Sequence, residues 1–293
     1  MINDSTTRHA PWEQTINTGD SDFFEKARLT SKIIKQDVQA NGETLPGVKA
    51  LMRLEDKHFY RTVPEDFEVL QPDEFYNLTT TIGGPVHSAG QTENGELVWF
   101  MTAPKDEQFR TFQVNNDIYA NYILFALSYD STIGIVILPI SINLTRDLTY
   151  NVSEMLQVSR PSIRQSKNTK VRTKDDDFTN AYTSCLDQIV QFKGKLRTMS
   201  NTNGFDFNET IETLVPLPLK ATENKKTRVL ALRDDIASNH YSLNGTSLYS
   251  IFTAIYATDV KRHDKRRTNF ARRFFTGKTS PLAVDAIKLL EVA

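Results

Sequence analysis

The chain has 293 residues, 39% hydrophobic and 24% charged, enough apolar material to bury a core and too much for a chain disordered throughout. Its formal net charge of −1 hides a division: residues 1–150 hold 12 basic and 21 acidic side chains, net −9, and residues 151–293 hold 23 basic and 15 acidic, net +8. One cysteine, Cys185, excludes an internal disulfide scaffold, no apolar run approaches the roughly 20 residues of a membrane helix, and the polar start MINDSTTRHAPWEQ gives no expectation of a secretory signal.

Residues 1–20, rich in Ser, Thr, Asn, Asp and Gly, are expected to form a flexible arm with Trp12 as its apolar anchor. A first helix is predicted over about 22–40, capped by Asp22 with Glu25, with Phe23, Ala27, Ile34 and Val38 on one face and Gly42 as its stop. From 47 to 145 the pattern is that of strands: VKALMRL, HFYRTV and FEVL, then PVHSAGQ and ELVWFMTA about an Asn94-Gly95 turn, then QFRTFQV. One helix interrupts them, DEFYNLTTTI, with Asp73 as its cap and Gly83-Gly84 as its stop. The segments IYANYILFALSY and TIGIVILPISINL are rich in β-branched and aromatic residues and are predicted as central strands buried on both faces.

Beyond residue 178 the pattern turns helical. FTNAYTSCLDQIVQFKGKL aligns Phe178, Ala181, Cys185, Ile189 and Leu196 on one face. Further helices are predicted over about 222–238 and about 246–262, the second with Leu248, Ile251, Phe252 and Ile255 inward. A last helix starts at Ser280 as N-cap and Pro281 at its first position. Neither half has the elements to close a core alone. The expected fold is therefore a single α+β domain over 21–293, a mainly antiparallel sheet (strand-rich 47–145) covered by helices (helix-rich 178–293).

Catalytic motifs are missing. His9, His58, His87, His240 and His263 stand apart from one another and from Cys185, so no zinc spacing arises, and no phosphate-binding, dinucleotide-binding or nucleophile-elbow glycine pattern occurs. Cys185, on an apolar helix face, is expected to be a core thiol. Asp175-Asp176-Asp177 directly precedes Phe178, where acids favour a helix start, and Asp234-Asp235 reads as a solvated face. No cofactor, metal or enzymatic activity is expected. The weakest of the readings, a metal-dependent nuclease, would have to rest on Asp175, Asp177 and Asp187.

The basic clusters are more informative. Residues 261–278 carry Lys261, Arg262, Lys265, Arg266, Arg267, Arg272, Arg273 and Lys278 against Asp264, with Phe270, Phe274 and Phe275 interleaved. Residues 160–174 carry Arg160, Arg164, Lys167, Lys170, Arg172 and Lys174 among Ser and Asn. Repeated cations beside hydroxyl and amide donors suit phosphates, and aromatic rings stack on unpaired bases. Phe270, Phe274 and Tyr256 are the candidate stackers. The competing reading makes the phenylalanines core anchors and the cations a solvated face.

The order of segments resembles the phage/plasmid-like protein family catalogued as domain of unknown function 932. The likeness runs through APWEQ and DFFEKARLTSKII, VKALMRLEDKHFYRTVPEDFEVLQPDEFYNL, HSAGQTENGELVWFMTAP, NYILFALSYDSTIGIVILPISINLTRDLTY, SIRQSKNTKVR and GTSLYSIFTAIYATDVKRHDKRRTNFARRFFTGKTSPLAVDAIKLLE. Two places depart from the pattern: Asp130-Ser131-Thr132 replaces an aspartate-glycine turn, and Asn143-Leu144-Thr145 stands where a Cys/Asn-Thr-Leu motif is expected. The resemblance implies a phage or plasmid setting and action in a bacterial host cytoplasm, and carries no mechanism.

The expected function is nucleic-acid binding, with single-stranded DNA favoured, as a binding or annealing protein in replication or recombination. Homo-oligomers fit that reading, because an acidic half and a basic half can stack head to tail. The alternative is a protein-interaction factor that modulates or inhibits a host enzyme or defence system, its acidic half imitating the charge of DNA. No membrane partner is expected.

Overall fold

The computed structural model describes residues 31–91, 95–130, 134–159, 162–163, 175–218, 220, 222–241, 247–264 and 280–288. They show an α+β protein with antiparallel sheets from strands between residues 33 and 163 and most helices after residue 175. Two compact units emerge, one from Met1–Thr111, Asn121–Ile140 and Ser159–Asp187, the other from Phe112–Ala120, Ser141–Val158 and Gln188–Ala293. The expected N-terminal arm lies outside the described residues.

The first unit opens with a three-stranded sheet of β1 (Ile33–Ala40), β2 (Glu43–Arg53) and β3 (Phe59–Pro64), in that order. This corrects the helix predicted over about 22–40, whose described part is strand. Ala40 pairs with Glu43 across the two-residue turn Asn41-Gly42, whose φ angles are +53° and +85°. Two successive positive φ values are what a hairpin turn requires, and Asn-Gly supplies them. Gly42 therefore turns a hairpin instead of stopping a helix. FEVL is not a strand: Phe67 and Leu70 are buried anchors in a connecting loop.

Helix α1 (Pro72–Gly83) follows. Its cap is Gln71, not Asp73, which stands inside the first turn. Glu74 Oε2 accepts from Gln71 N at 3.1 Å to complete a capping box. The Gln71 side chain also binds the Ile33 backbone, accepting from its N at 3.0 Å and donating to its O at 2.8 Å. The helix thus starts where it is tied to β1.

The larger sheet has the order β10-β8-β7-β5-β4, with β6 on β7 and β9 on β8. Its strands are β4 (Val86–Gln91), β5 (Leu97–Thr102), β6 (Thr111–Val114), β7 (Asp117–Ser128), β8 (Ile135–Asn143), β9 (Leu148–Asn151) and β10 (Ser162–Ile163). The two apolar segments expected at the centre are there, with every residue of β8 buried. Gly90 is required by Trp99 across the β4–β5 pair, since a Cβ at 90 would sit 2.4 Å from the indole. Helix α2 (Val152–Leu156) belongs to the second unit, while helix α3 (Asp175–Asn201) begins in the first, where Phe178, Ala181 and Cys185 are buried as predicted.

The second unit packs the continuation of α3 with α4 (Phe207–Leu214), α5 (Glu223–Tyr241), α6 (Leu248–Asp264) and α7 (Pro281–Lys288) over β6, the start of β7, and β9. Ile189 and Leu196 of α3 are buried, as predicted. Tyr150 is the hub: its ring lies 4.2 Å from that of Tyr256, 5.7 Å from Phe192 and 5.9 Å from Phe252. Helix α6 is buried on all sides from Leu248 to Tyr256, well beyond the four inward residues expected. By contrast α5 buries only Ile236 among its described side chains. No helix of the described residues is long and apolar enough to cross a membrane.

Candidate nucleic-acid interface

The basic run starts on the last turn of α6, and its first two cations are described. Lys261 Nζ donates to Asn239 Oδ1 at 2.7 Å. Arg262 donates from Nε and Nη2 to Asp235 Oδ2, at 3.1 and 2.8 Å. All three bonds reach α5, and Asn239 Nδ2 adds another by donating to Thr258 Oγ1 at 2.8 Å. Both cations nonetheless remain at the surface. A single exposed pair of this kind contributes little energy, so the guanidinium can exchange Asp235 for another anion at small cost.

Lys265, Arg266, Arg267, Phe270, Arg272, Arg273, Phe274 and Lys278 lie outside the described residues, as do Arg160, Arg164, Lys167, Lys170 and Arg172. Tyr256 is described, and it is a core residue. It is fully buried, stacks on Tyr150 and donates its hydroxyl to the backbone oxygen of Thr149. With both faces covered it has no surface for a base, which corrects its expected role as a stacker.

Other candidates resolve into structure. Cys185 is buried, its Sγ 3.7 Å from the oxygen of Ile137, and burial pushes its thiol far above the usual range, so it is a core thiol. The triplet from Asp175 to Asp177 forms the first turn of α3, in keeping with a helix-start role. Asp177 and Asp187 are exposed, and no group of three metal-binding side chains occurs among the described residues. His58 meets Tyr60 edge-on, while His87 stacks on Tyr122 and His240 on Phe207.

Two buried polar clusters, both in the second unit, escaped sequence reasoning. In the first, Asp117 Oδ2 accepts from Arg146 Nε at 2.6 Å, Asn143 Nδ2 at 3.1 Å and the Tyr249 hydroxyl at 2.5 Å. Tyr119 extends the chain with a 2.6 Å contact to the Tyr249 hydroxyl. Asn143 Oδ1 meanwhile accepts from the backbone N of Thr145 and Arg146 at 3.0 and 3.1 Å, turning the chain after β8. Thr145 Oγ1 accepts from Ile118 N at 3.1 Å. The Asn143-Leu144-Thr145 segment therefore has a structural duty: it ties β8 to the start of β7 and sets the Arg146–Asp117 pair. Burial pushes the Tyr119 and Tyr249 hydroxyls up, so both stay protonated as donors. The only sequence signal is the local Asn-x-Thr-Arg turn pattern. The partner Tyr249 is 132 residues from Asp117 and nothing local marks it.

In the second cluster, Ser280 donates from N to Glu154 Oε1 at 2.8 Å and from Oγ to Asp259 Oδ2 at 2.6 Å. Burial pushes the Asp259 carboxyl up to about 6, against the opposing pull of the Ser280 hydroxyl and Arg262. Both acids stand at the start of α7, where the helix dipole favours negative charge.

No family model, curated protein or solved structure matches the chain.

Proposed function

We propose that this protein binds nucleic acid, with single-stranded DNA as its preferred ligand, and serves as a binding or annealing protein in replication or recombination of a phage or plasmid within a bacterial cytoplasm. The observation that carries the reading is the end of α6. There Lys261 and Arg262 stand at the surface, and the sequence adds Lys265, Arg266, Arg267, Arg272, Arg273 and Lys278 with Phe270 and Phe274 directly after them. Cations neutralise phosphates and rings stack on bases, which is the combination single strands need. The second run, with Arg160, Arg164, Lys167, Lys170 and Arg172, adds to the same chemistry.

An acidic docking face for a host protein is the less favoured reading. Asp37, Asp56, Glu107 and Asp117 each pair with a cation, and Asp73, Glu74 and Asp106 serve helix starts.

Titration of a fluorescein-labelled oligothymidylate at two salt concentrations tests the proposal. Binding is expected to weaken steeply with salt, with a log–log slope of about 0.7 for each phosphate contact released. An oligonucleotide left unbound at low salt overturns the reading.

A further inference from the structure

We infer that the N-terminal half of α5 is part of the nucleic-acid-binding surface, with Lys225 and Arg228 contacting the phosphate backbone beside the end of α6. This rests on the nucleic-acid reading and adds residues that the two basic runs do not contain.

The placement follows from the contacts between the two helices. Asn239 of α5 meets Thr258 and Lys261 of α6, and Asp235 meets Arg262, so residue numbers rise along one helix as they fall along the other. The pair is antiparallel. The C-terminal end of α6, where the basic run begins, therefore lies toward the N-terminal half of α5. Lys225 and Arg228 are three residues apart and so adjacent on the helix surface. Both are exposed, as is Lys220 just before the helix. Among the described residues Lys225 and Arg228 have no ion-pair partner, and Lys226 has only an exposed contact with Glu223 at 3.6 Å.

Charge order along α5 points the same way. The acids Asp234 and Asp235 follow in later turns, and Asp235 is taken by Arg262. From Arg228 to the level of Asp235 is seven residues, or about 10 Å of helix at 1.5 Å per residue. Lys225, Arg228 and Arg262 thus form a short row of cations at one end of the pair, and Lys265, Arg266 and Arg267 follow Asp264 in the sequence. Hydrophobic packing does not explain the row, since α5 buries only Ile236 among its described side chains. A polyanion is the partner whose charge complements it.

The test compares two charge-matched double variants with the wild-type protein, using labelled oligothymidylate. The Lys225→Glu/Arg228→Glu variant is expected to bind about tenfold more weakly, with the salt slope reduced by about 1.4 for two lost phosphate contacts. The Lys195→Glu/Arg197→Glu variant, with the same change of net charge on α3, is expected to bind like wild type. Circular dichroism and thermal unfolding identify any variant that has lost its fold, and Lys225→Ala/Arg228→Ala then supplies the same comparison with milder changes. If wild type binds and the α5 variants keep its affinity and slope, the α5 assignment is overturned while the nucleic-acid reading stands. Equal weakening by the α3 pair also overturns it. If wild type itself does not bind, both readings fall.

Discussion

Asp117 shows how much a single buried acid can hold. It is 1% exposed, and one of its oxygens receives an asparagine from the end of β8, an arginine from the turn after it and a tyrosine from α6. Removing it leaves Arg146 without its counter-charge and leaves the Asn143 amide and Tyr249 hydroxyl without their acceptor. A broken buried pair costs about 3–5 kcal/mol, whereas a lost charge with the hydrogen bonds kept costs less. Asp117→Ala is therefore expected to destabilise by about 4 kcal/mol and Asp117→Asn by about 2 kcal/mol, since the amide oxygen can still accept. Urea unfolding of the two variants checks the order, and equal losses would show that the acceptor oxygen kept by Asn contributes nothing once the charge on Asp117 is gone. Tyr256 carries the complementary lesson. An aromatic on a helix next to a basic run reads as a stacker in the sequence, but α6 is buried on every side at that level and its ring is enclosed.

At the scale of elements, legibility followed the range of the forces involved. The central strands β7 and β8 were readable because burial on both faces demands continuous apolar runs, and α3 because its apolar face repeats at helical spacing. Strand β1 was misread because Phe23, Ala27, Ile34 and Val38 also fit a helical face, although Asn41-Gly42 already carried the stronger hairpin signal. The short elements α2, α4 and β9 went unpredicted because each is fixed by its neighbours, with little repeat of its own. The candidate interface was half legible: the cations of α6 announce themselves as a run, while those of α5 gain meaning only from the antiparallel pairing. The start of α7 offers a test at this scale. The Asp259 carboxyl is raised from 3.8 to about 6 by burial, so the folded state favours its protonated form. Its contribution is fully present below about pH 4 and is lost as pH rises through about 6, a change of about 3 kcal/mol at 1.36 kcal/mol per unit. Asp259→Asn keeps an acceptor for the Ser280 hydroxyl and removes the titration. The variant is expected to unfold at a higher temperature than wild type at pH 8 and to lose that advantage at pH 4. Parallel melting curves across this range would show that Asp259 does not drive the pH dependence.

For the whole molecule, the near-zero net charge is the sum of two large opposite terms, −9 and +8 in the two halves of the sequence. Such a chain has little overall repulsion to keep copies apart. The basic half of one copy also complements the acidic half of another, and a contact between unlike surfaces repeats into rings or filaments. Self-association driven this way is screened by salt, because exposed charges farther apart than about 8–10 Å hardly interact at physiological ionic strength. The expected result in light scattering is a mass above the monomer at low salt that falls to the monomer as salt rises. On the proposed function nucleic acid competes for the same cations, so oligothymidylate is expected to have one of two effects: it dissolves salt-sensitive assemblies if they use the basic run, or it organises larger ones if assembly uses other surfaces. The Lys225→Glu/Arg228→Glu variant separates these cases, since it weakens the basic surface without touching the acidic half. A monomeric mass at every salt concentration, with and without oligothymidylate, would remove self-association and leave the charge division to serve nucleic-acid binding alone.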